Sequence, residues 1–235
     1  ADLANILNEG AILAARAGRT EITMADLEEA SEKVEMGPEK RSKVIADIDK
    51  KITAYHEAGH AVVNHILGGE TKVHKITMIP RGPAGGYTMP LPAEERMYRS
   101  KKYFLNEMAE FYGGRAAEEI IFGKDQITTG ASSDIKRASA IARFMVTQIG
   151  MTEKFGPILL DGTQDGDMFQ RKYYSEETGK EIDDEVRRLL NEAYQKAIDI
   201  LNTHRNKLEA VTKVLLEKET IMGPEFEAIM EDENI

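Results

Sequence analysis

The residues best placed by type and spacing to do chemistry are His56-Glu57-Ala58-Gly59-His60. Positions four apart on an α-helix lie one above the other, so the two imidazoles project from one face. That separation suits two nitrogen ligands on one tetrahedral Zn²⁺, each about 2.0–2.1 Å from the metal. Glu57 points roughly 100° round the helix from His56, which sets it beside such a metal rather than on it. A general base for the water that a metal activates belongs there. The pattern predicts a zinc hydrolase, and most readily a peptidase.

The surrounding residues must build that helix. Lys51 to Leu67 contains no Pro and ends at Gly68-Gly69, which predicts a helix with a glycine stop. Val63 and Leu67 continue the stripe of His56 and His60, so the ligand face is expected to point into protein. Inward-facing imidazoles need a partner, and a metal supplies one.

Bulk composition narrows the chemistry further. With 235 residues the chain is long enough for one large domain or two small ones. The absence of Cys excludes disulfides and thiolate ligands, so zinc must be held by His and carboxylate. A formal net charge of -10 argues against nucleic acid and anionic membrane surfaces as direct partners. No apolar run approaches the roughly 20 residues needed to span a bilayer, and no signal peptide is evident. Because the chain starts at Ala1 inside a helical pattern, it is expected to be a soluble piece of a longer protein.

Periodicity places the other elements. Residues 1–17 carry apolar residues at helical spacing and stop at Gly18. Thr23 with Asp26 resembles a capping box that opens a second helix, to about Val34. The polar stretch from Met36 to Arg41 reads as a linker, which puts a domain boundary near residue 40. Val73 to Pro80 alternates as a strand does, and a Gly/Pro loop leads on to Gly86-Tyr87-Thr88-Met89. Pro90 and Pro92 cannot donate ladder hydrogen bonds, so this segment is best placed at a sheet edge, with an ordinary loop as the equal alternative. An open edge beside a peptidase centre can bind an extended chain by strand addition, which makes Gly86, Tyr87, Thr88 and Met89 candidate substrate-binding residues. Tyr87→Pro should then raise KM for long substrates. Helices are predicted from Glu94 to Ile121 with a break at Gly113-Gly114, from Asp134 through Gln148, from Glu177 to Thr203 and from Lys207 to Lys218. Residues 150–175 read as a long loop, and a short last piece follows Gly223-Pro224. The expected fold class is mainly α with a small β-sheet.

Catalytic zinc usually takes three protein ligands and keeps a fourth position for water. His65 follows His60 by five residues, about 140° round the helix, so it cannot reach the same metal. His74 sits on the predicted strand and His204 lies far along the chain. Glu118 and Glu119 fit a ligand delivered by a downstream helix, or equally a surface charge near Arg115. Asp134 stands where the loop Thr128 to Ser133 becomes a helix, a place that keeps a carboxylate ionised and where Asp is common without any function. Spacing does not choose among Glu118, Glu119 and Asp134.

Three segments together resemble the FtsH family: His56-Glu57-Ala58-Gly59-His60, Gly113-Gly114-Arg115-Ala116-Ala117-Glu118-Glu119, and Thr128-Thr129-Gly130-Ala131-Ser132-Ser133-Asp134. These are membrane-anchored, ATP-dependent AAA+ zinc metalloproteases, peptidase family M41. Gly86-Tyr87-Thr88 with Leu91-Pro92, and Met145-Val146-Thr147-Gln148 with Phe155-Gly156, look like further family segments, and the likeness runs from residue 1 to about 220. The resemblance implies that His56, His60 and Asp134 bind one zinc per chain, with Glu57 as the base. The family usually has Asn where Ser133 stands, next to that Asp. Residues 1–40 look like the end of the AAA+ helical lid and its linker, and 41–235 like the protease domain. No G-x-x-x-x-G-K-[ST] phosphate loop occurs in the chain, so ATP and Mg²⁺ are expected only in a full-length parent.

The expected reaction is hydrolysis of peptide bonds in unfolded or translocated proteins, membrane proteins included, for quality control. The resemblance further implies a homohexamer, and membrane contact only through a missing N-terminal anchor. A bacterial parent would sit in the inner membrane with this domain on the cytoplasmic side. The alternatives are a non-catalytic, zinc-holding hexamerisation module and a metallohydrolase acting on something other than peptides. Structural zinc sites are closed, typically by four protein ligands, and a fourth is not evident here.

Overall fold

The computed structural model describes residues 2–40, 45–68, 70–82, 84–94, 96–160 and 174–233. Its described residues are mainly helical, with one three-stranded antiparallel sheet. Two helices come first, α1 (Asp2–Arg16) and α2 (Met24–Met36), packed on each other. The capping box is present: Asp26 N–H donates to the Thr23 hydroxyl, and Thr23 N–H to the Asp26 carboxylate. Part of the expected linker, with the residues just after the boundary near 40, lies outside the described residues.

α3 (Asp47–Leu67) is the axis of the rest. Every residue from Ala54 to Asn64 is buried, so this helix is covered all round rather than on one stripe. It stops at Gly68, whose φ of 56° is a left-handed conformation that suits glycine. Against α3 pack α5 (Gly113–Phe122), α8 (Arg205–Lys218) and the sheet. The longest helix, α7 (Glu176–Thr203), buries Ile182, Val186, Leu189, Ala193, Ala197 and Leu201 along one stripe. That stripe closes over α4 (Lys101–Phe111), α5 and α6 (Ser132–Thr147).

The sheet order is β2 (Tyr87–Pro92), β1 (Thr71–Thr77), β3 (Thr220–Met222). β2 pairs with β1 alone, with Ile76 opposite Thr88 and Thr77 opposite Tyr87, so the Pro-bearing strand does lie at an edge. β3 was not expected. Three residues are too few to show a period, and this strand exists because Ile221 pairs with Ile76 and buries against the core. It is set up by Glu219, a non-glycine residue at φ 62°, whose carbonyl accepts from Met78 N–H and the Thr77 hydroxyl. The chain ends in α9 (Gly223–Glu231), with Pro224 in its first turn.

Two boundaries differ from expectation. The helix expected from Glu94 begins only at Lys101, where the Ser100 side chain accepts from Tyr103 N–H. Its interruption falls at Tyr112, and Gly113-Gly114 open the next helix instead of breaking one. Half of the long loop expected over 150–175 lies outside the described residues.

Candidate metal centre

Because α3 carries His56 and His60 one turn apart, both Nε2 atoms meet at 3.1 Å. α6 starts directly opposite. Asp134, in its first turn, puts Oδ2 3.5 Å from His56 Nε2 and 3.6 Å from His60 Nε2. Two ligands about 2.0–2.1 Å from a tetrahedral metal stand about 3.3 Å apart, so all three separations match that figure closely. Among the described residues these three form the one group of His and acidic side chains able to hold a metal ion.

The hydrogen bonds behind the ring nitrogens strengthen the fit. His56 Nδ1–H donates to Glu118 Oε1 at 2.7 Å, and His60 Nδ1–H donates to the Glu110 carbonyl at 2.8 Å. Both partners only accept, so each Nδ1 carries the proton and each Nε2 offers a lone pair to the centre. Three acceptor atoms facing one another need either a cation or a proton between them. In the metal-free chain a proton partly serves: burial works against it, but Asp134 and Glu118 push His56 up to about 10. Asp134 is held well below its ordinary range by His56 and His60, although burial pushes the other way.

Glu118, one of the three carboxylates that spacing left open, is 1% exposed and stands behind His56 rather than in the ligand set. Its second oxygen accepts Thr128 N–H at 2.7 Å, so the Thr-Thr-Gly turn braces the carboxylate that braces the ring. Glu119 points elsewhere and accepts from the Tyr194 hydroxyl at 2.5 Å. His65 sits against Phe226 and Glu227, away from the centre.

Glu57 is buried beside the ligand face, and burial pushes its carboxyl up. The Thr88 hydroxyl reaches it from β2, 2.9 Å from Oε2 and 3.0 Å from the Glu57 main-chain oxygen. Of the other residues considered for substrate, Tyr87 turns the opposite way and donates to Glu32 Oε2 on α2 at 2.6 Å. Gly86 presses on α3, where a Cβ would stand 3.2 Å from Glu57 Cγ and 2.7 Å from the Thr77 oxygen. Met89 follows on β2, opposite Lys75.

Sequence reasoning missed what the glycines do. A Cβ on Gly59 would stand 2.4 Å from the Gly113 oxygen, and one on Gly113 2.6 Å from the Gly59 oxygen. α3 and α5 therefore cross backbone to backbone. A Cβ on Gly114 would fall 2.4 Å from His56 Nε2, so the ring rests directly on the α5 backbone. The signal was a glycine inside H-E-x-x-H and a glycine pair in a helical pattern, but only their meeting gives it meaning.

A cleft of about 650 Å³ opens further along the ligand-bearing helices, lined by none of His56, Glu57, His60 and Asp134. Asn64, one turn beyond His60, and Arg137, one turn beyond Asp134, both line it, with Phe111, Tyr103 and Pro90. Both ligand-bearing helices thus continue into one cleft, bounded by the edge strand. No helix among the described residues is long and apolar enough to cross a membrane.

The chain is 48% identical to the ATP-dependent zinc metalloprotease FtsH 1 of Thermoanaerobacter sp. (strain X514), over 100% of this chain and 39% of that protein. It is 52% identical to FtsH 3 of Symbiobacterium thermophilum, over 98% of the chain and 38% of the relative. For the FtsH of Thermus thermophilus the figures are 48%, 98% and 37%. The chain thus spans less than two-fifths of the length of these relatives. The profile of peptidase family M41 matches residues 43–229, which takes in α3, the sheet, Glu118 and Asp134, and on that match the chain belongs to peptidase family M41.

Proposed function

We propose that this chain is the zinc endopeptidase part of an ATP-dependent protease, with His56, His60 and Asp134 as metal ligands and Glu57 as the base. The observation that carries the reading is the convergence of His56 Nε2, His60 Nε2 and Asp134 Oδ2 beside a buried Glu57. Bound zinc would polarise the scissile carbonyl and acidify the attacking water. Glu57 takes a proton from that water and later returns one to the leaving amine. Its raised affinity for protons suits a group that must hold one between the two transfers.

The open edge of β2 and the adjoining cleft suit an extended main chain, which favours unfolded polypeptides over folded ones as substrates. Residues 1–40 are read as the end of an ATPase lid and linker, and 41–235 as the peptidase. The family profile begins only at residue 43, whereas the relatives align across the whole chain. Homohexamer formation, a membrane anchor outside this chain and a cytoplasmic face belong to the same reading.

The test is cleavage of an unstructured, dye-labelled polypeptide with zinc present and ATP absent, alongside Glu57→Gln. Cutting by the original chain and loss of cutting in a variant that still holds zinc are expected. Zinc bound without cleavage in either would leave a metal site and remove self-sufficient peptidase action. Failure of both to bind zinc would overturn the ligand assignment.

A further inference from the structure

We propose that Thr88 is the positioning residue for Glu57, and that it ties the base to the edge strand. The inference rests on the reading of Glu57 as base and adds what holds that base in place. One hydroxyl proton faces two acceptors of the same residue, the carboxylate at 2.9 Å and the main-chain oxygen at 3.0 Å. Thr88 therefore clips the Glu57 side chain to its own helix and limits the rotamers it can adopt. A glutamate has three side-chain torsions to fix, and the Thr88 hydroxyl reaches this one from a different element, β2.

The strand that supplies the clip is anchored on both faces. Toward α3, Gly86 lets it lie against Glu57 and Thr53 with no room for a Cβ. Toward α2, Tyr87 donates to Glu32, which also receives Lys75 Nζ at 2.9 Å and lies 3.1 Å from the buried Arg81 guanidinium. Neighbouring strand residues point to opposite faces, so Tyr87 and Thr88 spread these two attachments across the strand. A substrate adding to the open edge of β2 would bind the very strand that aims the base.

Three versions of the zinc-loaded chain test this: the original, Thr88→Val and Thr88→Ser. Losing the hydroxyl is expected to lower kcat about 30-fold, with KM changed less than about twofold, as for a base swung out of line. Thr88→Ser restores the hydroxyl and should return kcat to within about threefold. Equal rates for original and Val variant, a loss confined to KM, or no rescue by Ser each overturn the proposal. A second measurement does not depend on activity. In the metal-free chain, Thr88→Val should lower the urea midpoint, and this loss should shrink to less than half in a Glu57→Leu background. Undiminished loss in that background shows that Thr88 does not act through the Glu57 carboxylate and overturns the proposal. If the original chain binds zinc yet cuts nothing, self-sufficient peptidase action fails by itself and this cycle alone decides the Thr88–Glu57 contact.

Discussion

Glu118 Oε1 lies 2.7 Å from His56 Nδ1, on the side of the ring away from Asp134. The two carboxylates clasp one imidazole between them, one able to share a metal with it and the other fixing its tautomer. Carboxylates behind a metal-bound His orient it and raise its basicity, typically by enough to change metal affinity about 10–100-fold. Glu118→Gln keeps an acceptor but loses the charge, so zinc affinity should fall toward the lower end of that range. Glu118→Ala removes both and should reach the upper end. Competition against a fluorescent zinc chelator measures each, and unchanged affinity in Glu118→Ala would contradict the arrangement.

The Gly114 contact makes a second prediction. A methyl group there would meet His56 Nε2 at 2.4 Å, well inside contact distance. Gly114→Ala should therefore displace the ring and cost more zinc affinity than Glu118→Gln does. Gly59→Ala meets backbone, the Gly113 oxygen at 2.4 Å, and should instead destabilise the fold by about 3 kcal/mol or more. Zinc titration and urea unfolding of both variants separate the two effects.

The centre should bind zinc in competition with a proton. His56 is raised to about 10 in the metal-free chain, against about 6.5 when unfolded. The stability this group adds to the metal-free chain is fully present below about pH 6.5 and is lost as pH rises through about 10. Zinc must displace that proton, so between those values its apparent affinity should strengthen about tenfold per pH unit. Isothermal titration at pH 6.5, 7.5 and 8.5 in buffers of different ionisation heat would count the proton released. A pH-independent affinity would contradict the prediction.

Tyr87→Pro, the substitution that tests strand addition, would also take away the hydroxyl that binds Glu32. Tyr87→Phe separates the two roles, because it keeps the backbone donor. Strand addition at this residue predicts a raised KM for long substrates in Tyr87→Pro and an unchanged KM in Tyr87→Phe. Equal KM changes in both would assign the effect to the link with α2.

Much of the centre could be read locally. The i, i+4 spacing of His56 and His60, the Glu57 beside them and the glycine stop are consequences of helical geometry, which a short stretch determines by itself. The capping box at Thr23 and the edge position of the Pro-bearing strand are local in the same sense, since one depends on three residues and the other on missing N–H donors. The choice among Glu118, Glu119 and Asp134 is of another kind. All three are acidic residues on downstream helices, and which one faces the His pair depends on how α5 and α6 are rotated against α3. Those rotations follow from packing: Gly59 against Gly113 brings the backbones together, and Gly114 makes room for the ring. β3 likewise exists only because residues far apart in the chain meet, its Ile221 pairing with Ile76. The sequence by itself determined that this chain carries a zinc-type helix and a mainly helical fold. Beyond the family likeness that already implied Asp134, the tertiary structure decided which carboxylate stands before His56, which stands behind it, and that the edge strand holds Glu57, because these are contacts between surfaces that no single element contains.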